Sequence, residues 1–218
     1  MIEDFDSLVS EIKVFVARSD STFSARIQTF ISLAEDRIFN GAGVDIRDPL
    51  YSPAIRVREM QTAATVSFTD GVGTVPTDSV GLSRVSRATD KVGLDYMPPD
   101  AFAQRAAYAD TGNPRWYTIE TGQIKVAPSG YDGDLTVVYY ARPAGVTSTN
   151  ISNDVLLAYP NLYLAACLFE AFTFIRDGES ATGWLTRYRS SATGVNMSAT
   201  GVRAGGNPLR IIPRNALP

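Results

Sequence analysis

Apolar side chains recur every three or four residues near the start of the chain, the spacing of one face of a helix. The first such segment covers about residues 5 to 18, and Asp4 or Asp6 could cap its free backbone N–H groups. The second runs from about Ser24 to Phe39 and ends at NGAG, typical of a helix C-terminus. The two stripes are Phe5, Leu8, Val9, Ile12 and Val16, then Ile27, Phe30, Ile31, Ala34 and Ile38. Two N-terminal helices are therefore predicted.

Strand-like alternation follows, from residue 51 to about residue 145. A Gly-rich turn at Asp70 to Gly73 predicts a hairpin. The turns TDK, TG and SGYDGD separate further segments, which are LSRVSRA, VGLDYM, RWYTIE, QIKVAP and LTVVYYARP. The stretch MPPDAFAQRAAYA has prolines and an acid in its first turn and helix formers after them. We expect an antiparallel sheet interrupted by this short helix.

Helical character returns at about Asn153 and leads into YPNLYLAACLFEAFTFIRDGE, Tyr159 to Glu179, the most apolar stretch of the chain. Pro160 fits the first turn of a helix, where no backbone N–H is needed. A further helix is predicted over ESATGWLTRYRSSATGVNM. From Ser198 to Pro218 the chain is interrupted by Gly, Asn and Pro, so we expect an extended tail.

The apolar stretch carries two stripes on its predicted helix. One comprises Leu162, Ala165, Ala166, Phe169 and Phe172, and the other comprises Tyr163, Cys167, Glu170 and Phe174. A membrane span needs about 20 apolar residues, whereas this run covers about 14 and contains Glu170. Two interpretations remain, a core helix or a core helix whose second stripe also contacts another subunit. In either case Glu170 needs an arginine or a hydrogen-bond partner.

These elements indicate an α+β fold. The simplest packing joins the N-terminal and C-terminal helix pairs into one bundle and makes the antiparallel β-sheet region an insertion in it. The expected divisions are N-terminal helices over 1–50, the β-rich insertion over 51–145, C-terminal helices over 146–197 and the extended tail over 198–218.

The composition is that of a folding chain, because 218 residues with 44% hydrophobic and 20% charged side chains can bury a core without disulfide or metal. Cys167 stands alone, which excludes an internal disulfide, and its apolar neighbours predict a buried, inert thiol. The start MIEDFDSLVS is acidic where a secretion signal would be basic. We therefore expect a product of the cytoplasm, with no membrane partner.

Charge is distributed unevenly along the chain. Residues 1–179 hold all 23 acidic side chains and 15 basic ones, a net of −8, whereas residues 180–218 hold five arginines and no acid. A basic end on an acidic body suggests that the end contacts something acidic, such as another copy or a partner protein.

Catalytic and cofactor signatures are largely missing from the sequence. The chain has no histidine, which removes histidine bases, Ser-His-Asp triads and most zinc sites. The glycines of NGAGVD and DGVGTV lack the lysine and hydroxyl residue of a phosphate-binding loop. We predict a protein without catalytic, cofactor or metal sites.

Two alternatives stay open. Asp45 and Asp48, or Asp132 and Asp134, could form the acid pair of a hydrolase or processing enzyme, although close acids in Gly-containing loops usually serve turns. Trp116/Tyr117 and Tyr139/Tyr140 could stack bases in a single-strand nucleic-acid module. Neighbours on a strand point to opposite faces, so each aromatic pair is expected to give one core ring and one surface ring.

Several segments together resemble the head-to-tail adaptor, or connector, proteins of tailed bacteriophages. They are FISLAEDRIFN, RVREMQTAATVSF, GNPRWYTIETGQIKVAP, LTVVYYARP and YPNLYLAACLFEAFTFIRDGESATGWLTRY followed by GGNPLR, in the family's order. The insert GAGVDIRDPLYSPAI and the end IIPRNALP depart from the family pattern. They leave the start of the sheet and the contacts of the tail open.

The resemblance implies a structural virion protein at the head-tail junction, made in the host cytoplasm. It would form a ring, expected to be dodecameric, that attaches to the portal protein and receives the tail or the next connector protein. DNA would pass through the lumen without sequence-specific binding. The residues expected to contact the portal are Arg203, Leu209, Arg210, Ile211 and Ile212. The expected subunit interface is the second stripe, Tyr163, Cys167, Glu170 and Phe174.

Overall fold

The structure is a computed structural model and describes residues 2–45, 47–106 and 112–203, without the side chains of residues 106, 202 and 203. The chain divides into two compact units. Unit 1 combines residues 1–59 with residues 143–218, and unit 2 is residues 60–142.

Unit 1 is helical. Its N-terminal part holds α1 (Phe5–Val16), the short α2 (Ser21–Ser24) and α3 (Ile27–Asn40). Its C-terminal part holds α5 (Asp154–Ala158), α6 (Pro160–Phe174) and α7 (Gly178–Arg203). A 3-10 turn, Arg58–Met60, lies where the sequence passes from unit 1 to unit 2. The helices bury the predicted stripes, and α6 packs against α1, α3 and α7.

Caps fix where these helices begin. Of the two candidate caps of α1, Asp4 accepts the backbone N–H of Ser7 at 2.9 Å, and the Ser7 hydroxyl accepts the backbone N–H of Asp4 at 3.0 Å. This reciprocal pair satisfies N–H groups that have no partner inside the helix. Asn153 caps α5 by accepting the backbone N–H of Leu156 at 2.8 Å, and Pro160 begins α6 as the sequence predicts.

Helix α7 continues to Arg203, so the prediction of an extended tail from Ser198 is wrong for residues 198–203. Extending an existing helix by one residue costs far less than starting one. The Thr200 hydroxyl also bonds back to the Asn196 carbonyl at 2.9 Å, and Gly201 lies near the helix end. The remainder of the predicted tail, 204–218, lies outside the described residues.

Unit 2 contains two sheets and one helix. Strands β1 (Gln61–Phe68), β7 (Gly133–Ala141) and β3 (Ser79–Arg87) form an antiparallel sheet with β7 in the centre. Strands β2 (Val72–Thr74), β6 (Gln123–Ala127), β5 (Trp116–Glu120) and β4 (Asp95–Tyr96) form the other, in which β4 pairs with β5 in parallel orientation. Helix α4 (Pro99–Ala106) lies between β4 and β5 in the chain. Alternate residues of these strands form the unit's core, including Val85, Tyr117, Ile124, Leu135 and Val137.

The hairpin predicted around Asp70 to Gly73 is wrong in its pairing. The turn exists, since Thr69 and Val72 exchange backbone hydrogen bonds of 3.1 and 3.0 Å. However, β1 then pairs with β7 while β2 pairs with β6, so the turn passes the chain from one sheet to the other. The ring of Phe68 covers Gly73, where an added Cβ would lie 2.8 Å from the ring. The Phe68 ring leaves no room for a side chain at residue 73, which is a reason for glycine there in addition to the turn.

The α+β fold class is confirmed, with a helical unit and a β-rich unit.

Candidate interaction surfaces

Glu170 of α6 pairs with Arg37 of α3. Its Oε1 accepts hydrogen bonds from Nε and Nη2 of Arg37 at 3.2 and 3.1 Å. The two side chains are 13% and 14% exposed, so the ion pair is largely buried. Burial raises the pKa of Glu170, and the positive charge of Arg37 opposes that rise. The predicted need for an arginine or a hydrogen-bond partner is thereby confirmed.

Arg37 also joins helix α3 to other parts of unit 1. Its guanidinium carbon lies 4.4 Å from the centroid of the Phe169 ring, a cation–π contact. Its Nη1 donates to the hydroxyl of Ser52 at 3.3 Å, which reaches the segment after α3. Arg37 therefore links α3, α6 and that segment.

Tyr163 lies in a buried polar network within the same unit. Its hydroxyl donates to Glu35 Oε1 at 3.2 Å and accepts from Asn153 Nδ2 at 2.8 Å. The same Glu35 oxygen accepts the backbone N–H of Val146 at 2.7 Å. Burial, followed by the negative charge of Glu35, raises the pKa of Tyr163. The network joins α3, α6 and the segment that returns from unit 2 in the sequence.

Cys167 is fully buried and unbonded to another cysteine, as predicted. Burial raises the pKa of its thiol, and the nearby negative charges of Glu35 and Glu170 raise it further. A thiolate is the reactive form of cysteine, so burial and the raised pKa both disfavour reaction of this core side chain.

The stripe predicted to face another subunit is mostly internal to unit 1. Tyr163 and Cys167 are 0% exposed, and Glu170 is held by Arg37. Phe174 differs, being 44% exposed although its ring contacts Phe23 and Phe30 at centroid distances of 6.5 and 5.3 Å. Of these four residues, Phe174 exposes the largest apolar surface.

A second aromatic contact, between an exposed ring on α1 and a half-buried ring on α7, lies in unit 1. Phe15 is 46% exposed and meets the ring of Trp184 edge-on at 5.4 Å. The guanidinium of Arg187 lies 4.6 Å from the centroid of the Trp184 ring. Aromatic side chains and arginine are enriched at protein interfaces.

The side chains of the portal-contact residues predicted from the resemblance lie outside the described part of the chain. Arg203 is the last residue of α7, and its side chain is outside the described part of the chain. Leu209, Arg210, Ile211 and Ile212 all lie outside the described residues.

The insert after α3 is bound to α7 by contacts that the sequence reasoning missed. The Arg189 guanidinium donates to the carbonyls of Tyr51 and Pro49, and the Tyr188 hydroxyl donates to the carbonyl of Pro53 at 3.4 Å. Asn196 accepts the N–H of Arg56 and donates to the carbonyl of Ala54, both at 2.9 Å. Arg189 and Asn196 are seven residues, or two helical turns, apart and therefore lie on one face of α7. This shared polar face is the sequence pattern that could have predicted the contact.

The candidate acid pairs serve turns. Asp45 accepts the N–H of Arg47 at 2.7 Å, and Asp48 accepts those of Val44 and Leu50 at 3.2 and 2.8 Å. In unit 2, Asp132 accepts the N–H of Asp70 at 2.9 Å and Asp134 accepts the hydroxyl of Ser67 at 2.7 Å. These bonds stabilise the loops in which the acids lie.

The aromatic pairs behave differently from each other. Tyr117 lies in the unit 2 core while Trp116 is half-buried under Arg105, whose guanidinium lies 4.4 Å from the ring centroid. This matches the expected division into one core and one outer ring. The same expectation is wrong for Tyr139 and Tyr140, which are both buried and therefore unavailable for stacking bases.

No group of acidic residues and cysteine in the described part of the chain is arranged to hold a metal ion. None of the described helices combines the length and apolarity needed to cross a membrane.

The comparison with protein families decides the identity. The sequence model of the SU10 adaptor protein family matches residues 4–211, nearly the whole chain. The chain belongs to the SU10 adaptor protein family. No curated protein matches the sequence.

SU10 adaptor proteins are structural proteins of bacteriophages, which makes this protein a virion component that associates with other virion proteins. The resemblance to phage adaptors is thus confirmed at the level of the family.

Proposed function

We propose that this adaptor forms a ring at the head-tail junction, attached to the portal, through whose lumen DNA passes. The family match over residues 4–211 carries the proposal. The ring is dodecameric and receives the tail or the next connector protein on its other side. The protein acts by assembly and is not an enzyme, and the loop roles of its candidate acid pairs support this.

Ring formation requires each copy to present two different surfaces, because a head-to-tail contact repeated by rotation closes into a ring. The exposed Phe174 is our candidate for one of these surfaces. Unit 1 supports such a role because its buried pairs, Arg37–Glu170 and Glu35–Tyr163, hold the helices around it. Phe15 adds exposed aromatic area on α1, where it contacts the half-buried Trp184 of α7.

The chain after α7 is our candidate for the portal contact. It carries the positive charges of Arg210 and Arg214 and the apolar residues Leu209, Ile211 and Ile212, with no acid. Such a segment suits a groove on a partner that is apolar with an acidic rim. Residues 1–179 have a net negative charge, so they could also bind this basic segment and compete with the portal for it.

Electron cryo-microscopy of intact particles tests the ring directly. We expect density for this chain as a closed ring between the portal and the tail, around DNA. A chain located elsewhere in the particle, or present there without rotational order, would contradict the proposal.

The portal contact is tested with purified portal and adaptor. Deleting residues 204–218 leaves α7 intact and should abolish portal binding, whereas the melting temperature of unit 1 should be unchanged. A matched pair of tail variants localises the contact. Serine at positions 209–212 should abolish binding, and serine at positions 215–217 should not. Unchanged binding after the deletion would refute the role of the tail and leave the ring proposal standing.

A further inference from the structure

Strand β1 lies at one edge of its sheet. It pairs with β7 along its whole length, from Gln61 opposite Tyr140 to Phe68 opposite Gly133. Within the described part of the chain, no strand pairs with its other side. The backbone groups along that side can therefore extend the sheet to another strand.

The β1 edge lacks the features that usually prevent such pairing. It has eight residues without a charge, a proline or a register shift against β7. The opposite edge strand, β3, contains two register irregularities and the charged Arg84 and Arg87. The edges of the second sheet, β2 and β4, have three and two residues. Proteins that avoid edge pairing use short strands, bulges and charges, so β1 is the exception in unit 2.

The core is also incompletely covered along β1. Ala64 and Val66 point into the hydrophobic cluster of unit 2 but are only partly buried. Thr65 and Ser67, on the opposite face, are exposed. An added strand with apolar residues at alternate positions would cover Ala64 and Val66 and continue the core.

We propose that β1 pairs with β1 of a second copy, antiparallel and centred on Thr65. This register places Val66 opposite Ala64 of the second copy, a larger side chain against a smaller one, on the core face. Thr65 meets Thr65 on the other face, and no charges oppose each other. A shift of the pairing by one residue would set core-facing residues against solvent-facing ones.

The pairing joins two three-stranded sheets into one continuous sheet. It is a two-fold contact, so it closes after two copies and differs from the head-to-tail contact of a ring. The dimer is therefore a state of the free adaptor, in which the exposed edge is covered before the protein enters the particle. This inference concerns the free protein and does not depend on the proposed ring.

Single cysteines test the register in the full chain. Thr65→Cys places two thiols directly opposite each other in the dimer. Ala63→Cys is the matched control, because its two copies would lie four residues apart along the strands, about 13 Å. The native Cys167 is fully buried and does not interfere. Under mild oxidation we expect Thr65→Cys to form covalent dimers at least about tenfold faster than Ala63→Cys. Equal rates, or no dimer from either variant, would overturn the proposed register.

Sedimentation of the unmodified chain tests the contact without cysteines. Thr65→Lys opposes two like charges at the centre and should weaken dimerisation by about tenfold or more. Thr74→Lys makes the same change at an exposed position of β2 and should have no effect. Circular dichroism establishes that both variants are folded. A wild-type chain that stays monomeric at high concentration, or a dimer that Thr65→Lys leaves intact, would disprove the proposal, whatever the particle shows about a ring.

Discussion

At the residue scale, the largest effects on stability are expected from the charged side chains buried inside unit 1. Arg37 and Glu170 are each less than one-sixth exposed, and their two hydrogen bonds offset the loss of water around both charges. Removing one partner leaves the other charge buried without compensation. Replacing both residues with apolar ones leaves no buried charge unpaired. The single and the double substitution should therefore differ in their effect on stability.

We expect Glu170→Ala to lower the free energy of unfolding by about 3 kcal/mol, the usual cost of breaking a buried ion pair. Chemical denaturation of the purified chain measures the change. The double variant Arg37→Met/Glu170→Leu should recover most of the loss, because no charge remains unpaired. A double variant as unstable as Glu170→Ala would mean that the other contacts of Arg37, with Ser52 and the Phe169 ring, supply the stability.

The requirement for a partner of Glu170 could be predicted from the sequence, but the partner could not. A carboxylate among apolar residues on a helix needs compensation wherever the fold places it. Arg37 is 133 residues away in the chain, and only the packing of α3 against α6 brings it close. For the same reason the sequence left Tyr163 as an interface residue, since nothing local shows that Glu35 and Asn153 surround its hydroxyl.

At the element scale, α7 holds the insert between α3 and unit 2. Asn196 does this with both ends of its amide, which accepts from Arg56 and donates to Ala54. The Asn196 side chain thus bonds to a backbone N–H and a backbone carbonyl of this segment, as the backbone of a neighbouring β-strand would. It fixes the segment at the point where the chain leaves unit 1.

We expect Asn196→Ala to release this segment, with a loss of about 2 kcal/mol because the partly buried Arg56 N–H and Ala54 carbonyl lose their partner. Hydrogen exchange provides the local measurement, and the amide of Arg56 should exchange faster. Thr193→Ala, an exposed change on the same helix, is the control and should leave that amide protected. Equal protection of Arg56 in both variants would rule out the proposed role of Asn196.

Helices were more predictable than strand pairing, because helix formation depends on residues three and four apart. The stripes of α1, α3 and α6 follow directly from their apolar spacing. Strand pairing depends on distant residues, so Asp70 and Gly71 indicate a turn without revealing that β1 belongs with β7. The extension of α7 past Ser198 was missed because Gly and Thr weigh against starting a helix, whereas here the helix already existed.

At the scale of the whole molecule, the chain is a structural phage protein of the SU10 adaptor family. Buried networks fix unit 1 from within, and the acids that could have formed a catalytic site serve loops. The sequence supported the family because its quoted segments occur in a fixed order, which a match over residues 4–211 bears out. It could not show which stripe of α6 is buried, since both stripes carry large side chains and burial depends on how α1, α3 and α7 pack around the helix.

Phe174 gives the proposed ring its sharpest test. If this exposed ring packs against the next subunit, Phe174→Ser should cost about 2 kcal/mol of contact energy, as hot-spot aromatics do. That corresponds to a contact roughly thirtyfold weaker. We expect far fewer copies per particle, counted by quantitative mass spectrometry.

Val44→Ser is the control. It removes an apolar residue that is 95% exposed in the insert, and should leave the copy number unchanged. Because Phe174 also contacts Phe23 and Phe30, thermal melting of the free variant must separate lost stability from lost contact. If the Phe174→Ser chain is folded and reaches the wild-type copy number, Phe174 is not part of the contact between subunits. Phe15 and Trp184 would then be the next surface of unit 1 to test.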